Sequence, residues 1–309
     1  MLKHVLSLQE FNRAELTALI RKAVDMKRNP ETYRSACERK GILMLFQKTS
    51  TRTNLSFQSG MKRMGGYTVA MDWQASNWAV SPIKHEARYV SRNIDLIMAR
   101  LKRHDDLAEL AAHATVPVIN GCCDRFHPCQ ALADMVTIYE VSGRFEGLTL
   151  TYVGIHNNVA NSLAAACMTL GVRLLLVTPI VNEPSWDESL MNAALQSGFV
   201  ERRDSLEEAL AESDYAYTDT WIDLEHYHDP AYAEEKQRRL EAMLPYQLNA
   251  KSLQGRKPYL MHDMPIHPGY EIEETLIEAD HSIIYQQAEN RMYAQQALML
   301  HLLGNESGR

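Results

Sequence analysis

The feature that most constrains this chain is a rhythm. Short apolar runs alternate with longer helical patterns, and the alternation starts afresh near residue 145. Gly41 to Phe46 (GILMLF), Tyr67 to Met71, Asp95 to Arg100 (DLIMAR) and Val116 to Ile119 read as strands. Between them, Leu55 to Met64 reads as a helix with Leu55, Phe57, Met61 and Met64 on its apolar face. His85 to Arg92 and Leu107 to His113 read as two more, and a long helix runs from Pro128 to Ser142. Strand, helix, strand, helix predicts a parallel sheet covered on both faces, because parallel neighbours need a long crossover between them.

A polar connector, Gly143 to Gly147 (GRFEG), separates the first series from the second. Leu148 to Val153, Val172 to Val177, Tyr215 to Thr218 and Tyr259 to Met261 then read as strands. Ala160 to Leu170, Trp186 to Ser197 and Ser205 to Glu212 read as helices, the last capped by Ser205 with Glu208 at its third position. Ala231 to Met243 is a charged, solvated helix, and Ile284 to Leu303 closes the chain with Tyr285, Ala288, Met292, Leu298 and Leu302 as its apolar residues. The 309 residues are enough for two α/β domains, here 1–143 and 144–284, with a cleft between them to hold a substrate.

Composition narrows the function. With 32 Lys+Arg against 39 Asp+Glu the net charge is −7, which argues against a nucleic-acid partner or an anionic membrane surface. The five cysteines are odd in number and form no CxxC pair, which argues against a disulfide framework or a structural zinc site and suits a cytoplasmic protein. The amphipathic N-terminus (MLKHVLSLQEFNRAEL) has no signal-peptide core, and no apolar run approaches the roughly 20 residues that span a bilayer.

The chemistry concentrates between the first strand and the first helix. Phe46 to Asn54 (FQKTSTRTN) packs hydroxyls, unpaired helix-start amides and Arg52 into one turn. An oxyanion asks for those three things: orphan N–H groups, a positive dipole end and a charged fork. The same residues also make an ordinary Ser/Thr cap beside a surface arginine. No GxxxxGK[ST] and no GxGxxG occurs, so neither a P-loop nor a dinucleotide is indicated.

Seven segments in collinear order give the chain a resemblance to the aspartate/ornithine carbamoyltransferase family, in its ornithine-like branch. Phe46 to Phe57 (FQKTSTRTNLSF) resembles the carbamoyl phosphate loop S-T-R-T-R. Ala99-Arg100 ends a strand whose arginine contacts carbamoyl phosphate in that family. Phe126 to Asp134 (FHPCQALAD) is similar to H-P-x-Q-A-L-A-D, and Val153 to Ser162 (VGIHNNVANS) to V-G-D-G-N-N-V-A-N-S. Tyr217 to Trp221 (YTDTW), His262 to Pro265 (HDMP) and Glu289 to Arg291 (ENR) stand where Y-T-D-x-W, H-C-L-P and E-N-R are expected.

The resemblance implies two Rossmann-like domains with parallel sheets, and a C-terminal helix, residues 285–309, packed back on the first. It implies an enzyme that moves the carbamoyl group of carbamoyl phosphate to a small amine, with no cofactor and no metal. Ser50, Thr51, Arg52 and Thr53 would bind phosphate, and Arg100 and His127 would meet the carbonyl oxygen as it becomes an oxyanion. Gln130 and the backbone around Met264 would take the carbamoyl nitrogen, and Arg291 would complete the pocket. Asn158, Asp219, Asp223, Leu224 and Asp263 fall on the acceptor side. The family unit is a homotrimer in which a loop reaches the neighbouring site. The corresponding loop is Trp73 to Pro82, with Gln74 and Asn77 as the candidates and both tryptophans suited to packing or to an interface.

Four positions depart from the pattern. Asn54 replaces the second arginine of S-T-R-T-R, Ile155-His156 replaces the D-G of V-G-D-G, Asp219 to Glu225 (DTWIDLE) replaces D-x-x-x-S-M-G, and Asp263 replaces the cysteine of H-C-L-P. Added carboxylates at Asp223 and Asp263 disfavour an acceptor carboxylate and favour a cationic amine. Asp263 could also accept the amine proton. The expectation is therefore a carbamoyltransferase with an altered acceptor. Ornithine itself is the alternative within the class, and a catalytically silent phosphate-binding regulator is the alternative outside it.

Overall fold

A computed structural model describes residues 3–222 and 229–304. The chain divides into two compact units, Met1–Arg144 joined by the segment from Glu289 onward, and Phe145–Ala288.

The first unit is built on a four-stranded sheet in the order β2-β1-β3-β4, formed by β1 (Gly41–Phe46), β2 (Tyr67–Asp72), β3 (Leu96–Arg100) and β4 (Val118–Cys122). Every pairing is parallel. Its helices are α1 (Arg13–Arg28), α2 (Thr51–Arg63), α3 (Ile83–Val90), α4 (His104–His113) and α5 (Pro128–Ser142). Pro128 opens α5 at a position where its missing N–H costs nothing, and Gly143 closes it at φ 69°, a left-handed turn that glycine adopts without a Cβ clash. Leu43, Leu45, Ile97, Ala99, Val118 and Leu110 share one core cluster.

Trp73 and Trp78 are buried in that same cluster, their rings 5.6 Å apart, so of the two readings of the Trp73 to Pro82 loop the packing one describes them within this chain. Gln74 and Asn77 are exposed. Leu55 is 65% exposed, against the expectation that it joins the apolar face. The buried stripe of α2 is Thr53, Phe57, Gly60 and Met61, and Leu55 lies about 200° around the helix from Phe57.

The second unit carries five parallel strands in the order β7-β6-β5-β8-β9. These are β5 (Thr149–His156), β6 (Arg173–Val181), β7 (Val200–Arg202), β8 (Tyr215–Thr218) and β9 (Tyr259–His262). The helices are α6 (Asn158–Leu170), α7 (Glu188–Gln196), α8 (Leu206–Ala211), α9 (Ala233–Met243), α10 (Ala250–Leu253) and α11 (Glu274–Ile277). Ser205 caps α8 by accepting from Glu208 N at 3.2 Å, as its sequence predicts. The three-residue edge strand β7 has no counterpart in the sequence reading, because a single buried residue, Val200, carries no period. β5 runs on through Gly154, Ile155 and His156, past the expected end at Val153.

The final helix, α12 (Ile284–Leu303), passes from the second unit into the first. Tyr285, expected on its apolar face, is 55% exposed. In the first unit α12 lies close against α2, where Gln296 Nε2 donates to Gly60 O at 3.0 Å. A Cβ on Gly60 would meet Gln296 Cγ at 3.1 Å, so a small residue is needed at this approach.

Candidate functional site

The first cluster sits at the carboxyl ends of β1, β3 and β4. Ser50 caps α2 and its Oγ accepts from Thr53 N at 3.2 Å. Behind this turn Arg291 Nη2 donates to the buried Thr53 Oγ1 at 3.0 Å, so a residue of the last helix is fastened to the start of α2. Thr51 is exposed and Arg52 half-buried. Arg100 ends β3, with its Nε buried and without a hydrogen-bond partner among the described residues. Gln130 is fully buried and donates through Nε2 to Asp134 Oδ1 at 2.9 Å.

His127 occupies the cap position before α5 and is buried. Burial first, and then the charges of Arg291, Arg100, Lys48 and Arg52, hold its imidazole well below the usual histidine range. It is therefore neutral at physiological pH. The same influences point to the cluster, since the charges of four cations act on one neutral imidazole beside a helix start. Thr53, Arg52, Arg100, His127 and Arg291, named from sequence, come together here. Lys48 joins them and was not singled out, although it lies two residues before the Ser50 cap. Cys129 is packed beneath, its thiol pushed up to about 12 by burial. Such a pocket suits a dianion, because helix-start amides and guanidinium groups supply positive potential where water is excluded.

The second cluster belongs to the second unit, at the carboxyl ends of β5, β8 and β9. Asp219, 2% exposed, accepts from Asn157 Nδ2 and Thr220 N, both at 2.6 Å. Asn157 also caps α6, accepting from Val159 N at 2.9 Å. It is thus Asn157 that holds Asp219, while the main-chain oxygen of the expected Asn158 accepts from Ser162 Oγ at 2.8 Å. Tyr152 OH donates to Ile155 O at 3.0 Å. Burial, then the carboxylates of Asp219 and Asp263, push the Tyr152 phenol well above its ordinary value, which puts both acids in its electrostatic reach. The Asp263 side chain is 13% exposed. Met264 adopts φ 62° before a cis peptide to Pro265. Asp223 and Leu224, expected on the acceptor side, lie outside the described residues. Tyr152 and Glu271 are not singled out by the sequence, being core positions of a strand and of the segment after β9, while His262 is marked there only as part of the His262 to Pro265 segment.

Among the described residues no group of three His, Cys, Asp or Glu is arranged to hold a metal ion, and no helix is long and apolar enough to cross a membrane.

Two parallel-sheet units, one with a cationic pocket at a helix start and one with buried carboxylates at its strand ends, define a two-domain α/β group-transfer protein. Comparison with known proteins makes this specific. Residues 3–140 match the family described as aspartate/ornithine carbamoyltransferase, carbamoyl-P binding domain, and residues 146–302 match its Asp/Orn binding domain. An ornithine carbamoyltransferase of Listeria monocytogenes serotype 4b (strain F2365) is 40% identical over 312 residues, spanning 97% of this chain and 96% of that protein. One from Archaeoglobus fulgidus is 37% identical over 99% of both. The solved ornithine carbamoyltransferase of Pyrococcus furiosus superposes with a TM-score of 0.90 at 34% identity, covering 98% of this chain and 97% of that one. The chain belongs to the aspartate/ornithine carbamoyltransferase family, and it is a carbamoyltransferase.

Proposed function

We propose that the protein transfers the carbamoyl group of carbamoyl phosphate to the side-chain amine of ornithine, giving citrulline and phosphate. This revises the expectation of an altered acceptor. Relatives near 40% identity over the whole chain carry the name ornithine carbamoyltransferase, and they support ornithine better than two substituted positions support something else.

The observation that carries the reading is the Arg291–Thr53 bond at the start of α2, with neutral His127 inside the same ring of cations. In this reading Ser50, Thr51, Arg52, Thr53 and Arg291 hold the phosphate. Arg100 and His127 donate to the carbonyl oxygen, whose negative charge grows as the amine attacks. Neutral His127 suits the task, since an added cation would tighten ground-state phosphate binding as well as the transition state. Gln130 and the Met264 backbone orient the carbamoyl NH2, while Asn158, Asp219, Asp223, Leu224 and Asp263 meet the acceptor. The new C–N bond forms, the C–O bond to phosphate breaks, and phosphate leaves as hydrogen phosphate carrying the amine proton. No redox partner is required.

The test is citrulline formation from carbamoyl phosphate and ornithine, beside putrescine and other diamines. Saturable ornithine turnover supports the reading. Efficient diamine turnover without ornithine turnover would restore the altered acceptor, which Asp263 favours by adding a second carboxylate near Tyr152. Phosphate binding with no amine-dependent turnover would leave a silent binding protein. A homotrimer goes with this reading, and Leu55, Tyr67, Val69 and Val80 are exposed apolar side chains that an interface could cover. Light scattering that returned a monomer would refute that part. A cytoplasmic location goes with this reading, on the odd number of cysteines and the lack of a CxxC pair in the sequence.

A further inference from the structure

Glu271 lies in the segment after β9, fully buried, and the residues that bond its carboxylate, His262 and His267, were assigned no role above. A buried carboxylate is expensive unless donors converge on it. Here His267 N donates to Oε1 at 2.6 Å, and His262 Nε2 stands 3.0 Å from the same oxygen. On the far side of the imidazole, Met264 N donates to His262 Nδ1 at 2.8 Å. Nδ1 therefore carries a lone pair, and the ring proton is on Nε2, pointing at Glu271. The main chain of His262 is fixed as well, its N–H donating to Gln287 Oε1 at 2.8 Å. A second branch leaves through His267, whose Nδ1 is 3.2 Å from Thr220 Oγ1, and that hydroxyl donates to Ile222 O at 3.1 Å. Thr220 N in turn donates to Asp219. One carboxylate thus braces both loops that follow the adjacent strands β8 and β9. Met264 needs such bracing, since φ 62° is a conformation a side chain of its kind seldom adopts unaided.

We propose that Glu271 is a positioning residue for carbamoyl transfer: through His262 it sets the Met264 turn that meets the carbamoyl nitrogen, and through His267 and Thr220 it sets the loop carrying Asp219. This rests on the function proposed above. The ring orientation does for a backbone turn what outer-layer partners do for metal-bound histidines.

The experiment compares Glu271→Ala, Glu271→Gln, His262→Asn and His262→Gln in the full chain. It reads kcat and KM for both substrates, inhibition by inorganic phosphate, and the circular dichroism of each variant. Both donors use the same carboxylate oxygen, so glutamine can accept them with its carbonyl, and Glu271→Gln should stay within about fivefold of the parent kcat. Glu271→Ala should lose about a hundredfold in kcat/KM for ornithine and carbamoyl phosphate, as small misplacements of reacting groups do. Asparagine can replace Nδ1 but not Nε2, and glutamine the reverse, so His262→Asn should retain more kcat than His262→Gln. Phosphate inhibition should move less than threefold in every variant. Glu271→Ala with parent kinetics, or the two His262 variants falling equally with native dichroism, would overturn the proposal. Failure of the parent to turn over carbamoyl phosphate with ornithine would instead refute the function on which it rests.

Discussion

Lys27→Met is the sharpest test of how the last helix is held to the candidate phosphate pocket. Lys27 Nζ, on α1, contacts Glu140 Oε2 at 3.0 Å, Asn290 Oδ1 at 2.8 Å and Glu289 Oε2 at 3.0 Å. Asn290 turns its other end to Thr137 Oγ1 at 3.0 Å and Glu140 Oε2 at 2.9 Å. Methionine keeps the aliphatic stem and removes only the charge. Glu289 is 54% exposed and returns to water, so its loss counts for a few tenths of a kcal/mol. Asn290 is fully buried, and losing a charged donor to its oxygen costs about 2 kcal/mol. Glu140, 16% exposed, keeps its Asn290 bond and loses about 1 kcal/mol more. The total, about 3 kcal/mol, corresponds to about a hundredfold less protection of the α12 amides in native-state hydrogen exchange. Exchange is the right assay because a two-unit chain need not unfold in one step. Adding Glu140→Gln should restore part of the loss, with a coupling of at least about 1 kcal/mol. Since Asn290 immediately precedes Arg291, inhibition by phosphate should also weaken several-fold. Protection within threefold of the parent would refute the ledger, and lost protection with unchanged phosphate inhibition would refute the link from clamp to pocket.

Three further outcomes follow from the same geometry. Arg291→Lys keeps the charge but not the planar fork that reaches Thr53, so the phosphate inhibition constant should rise about tenfold; an unchanged constant would place phosphate elsewhere. His127 has a native pKa well below 6.5, so below that pH the unfolded chain takes up a proton that the native chain refuses. Stability from this residue is therefore full above pH 6.5 and falls as pH drops beneath it, and His127→Gln should flatten that part of a urea-midpoint profile. Glu271 shifts in the same direction for a different reason: burial pushes its carboxyl up, but hydrogen bonds from His262 and His267 overcome this and hold it at about 2. Its stabilisation is full above the ordinary 4.5 and is lost as pH falls toward 2, so Glu271→Gln should show a shallower acid loss than the parent.

The parts of this molecule that depend on local pattern could be read from the residues in order. Parallel strands buried on both faces make continuous apolar runs, which is why GILMLF and LIMAR announce themselves. The cap at Ser50 and the Pro128 start of α5 are equally local. What the sequence hides is registration between distant elements. Leu55 looks apolar enough for a core, but only the packing of α12 at Gly60 decides which face of α2 turns inward. Lys48 reads as one more loop lysine until the fold brings its charge to bear on His127. Glu271 reads as one acid among several (Glu271, Glu273, Glu274), and nothing local marks it as the one buried beneath His262. A candidate oxyanion pocket is legible because a helix start concentrates it; a brace is not, because its bonded members are nine and forty-seven residues apart.

The brace bears directly on the substitution at Asp263. The turn after β9 is set by the His262 ring and by the main-chain N–H groups of His262, Met264 and His267. Those bonds do not depend on which side chain stands at 263. A thiol can therefore give way to a carboxylate there while the residue on either side keeps its place. Position 263 is thus a point where the side chain can change at small structural cost, whereas His262 and Glu271 are not, since removing either partner leaves a buried polar group unmatched. Charge at 263 is also felt at Tyr152, where Asp219 already acts, so the acid there adds to an existing negative region instead of founding a new one. Under the function proposed above, an acceptor amine meeting that region would gain attraction but must still lose its proton before it can attack, and two carboxylates oppose that loss more than one does. Under the proposed function the acid at 263 would trade faster capture of a cation against a smaller neutral-amine fraction, which is a reason for ornithine and diamines to be compared across pH and not at one value alone.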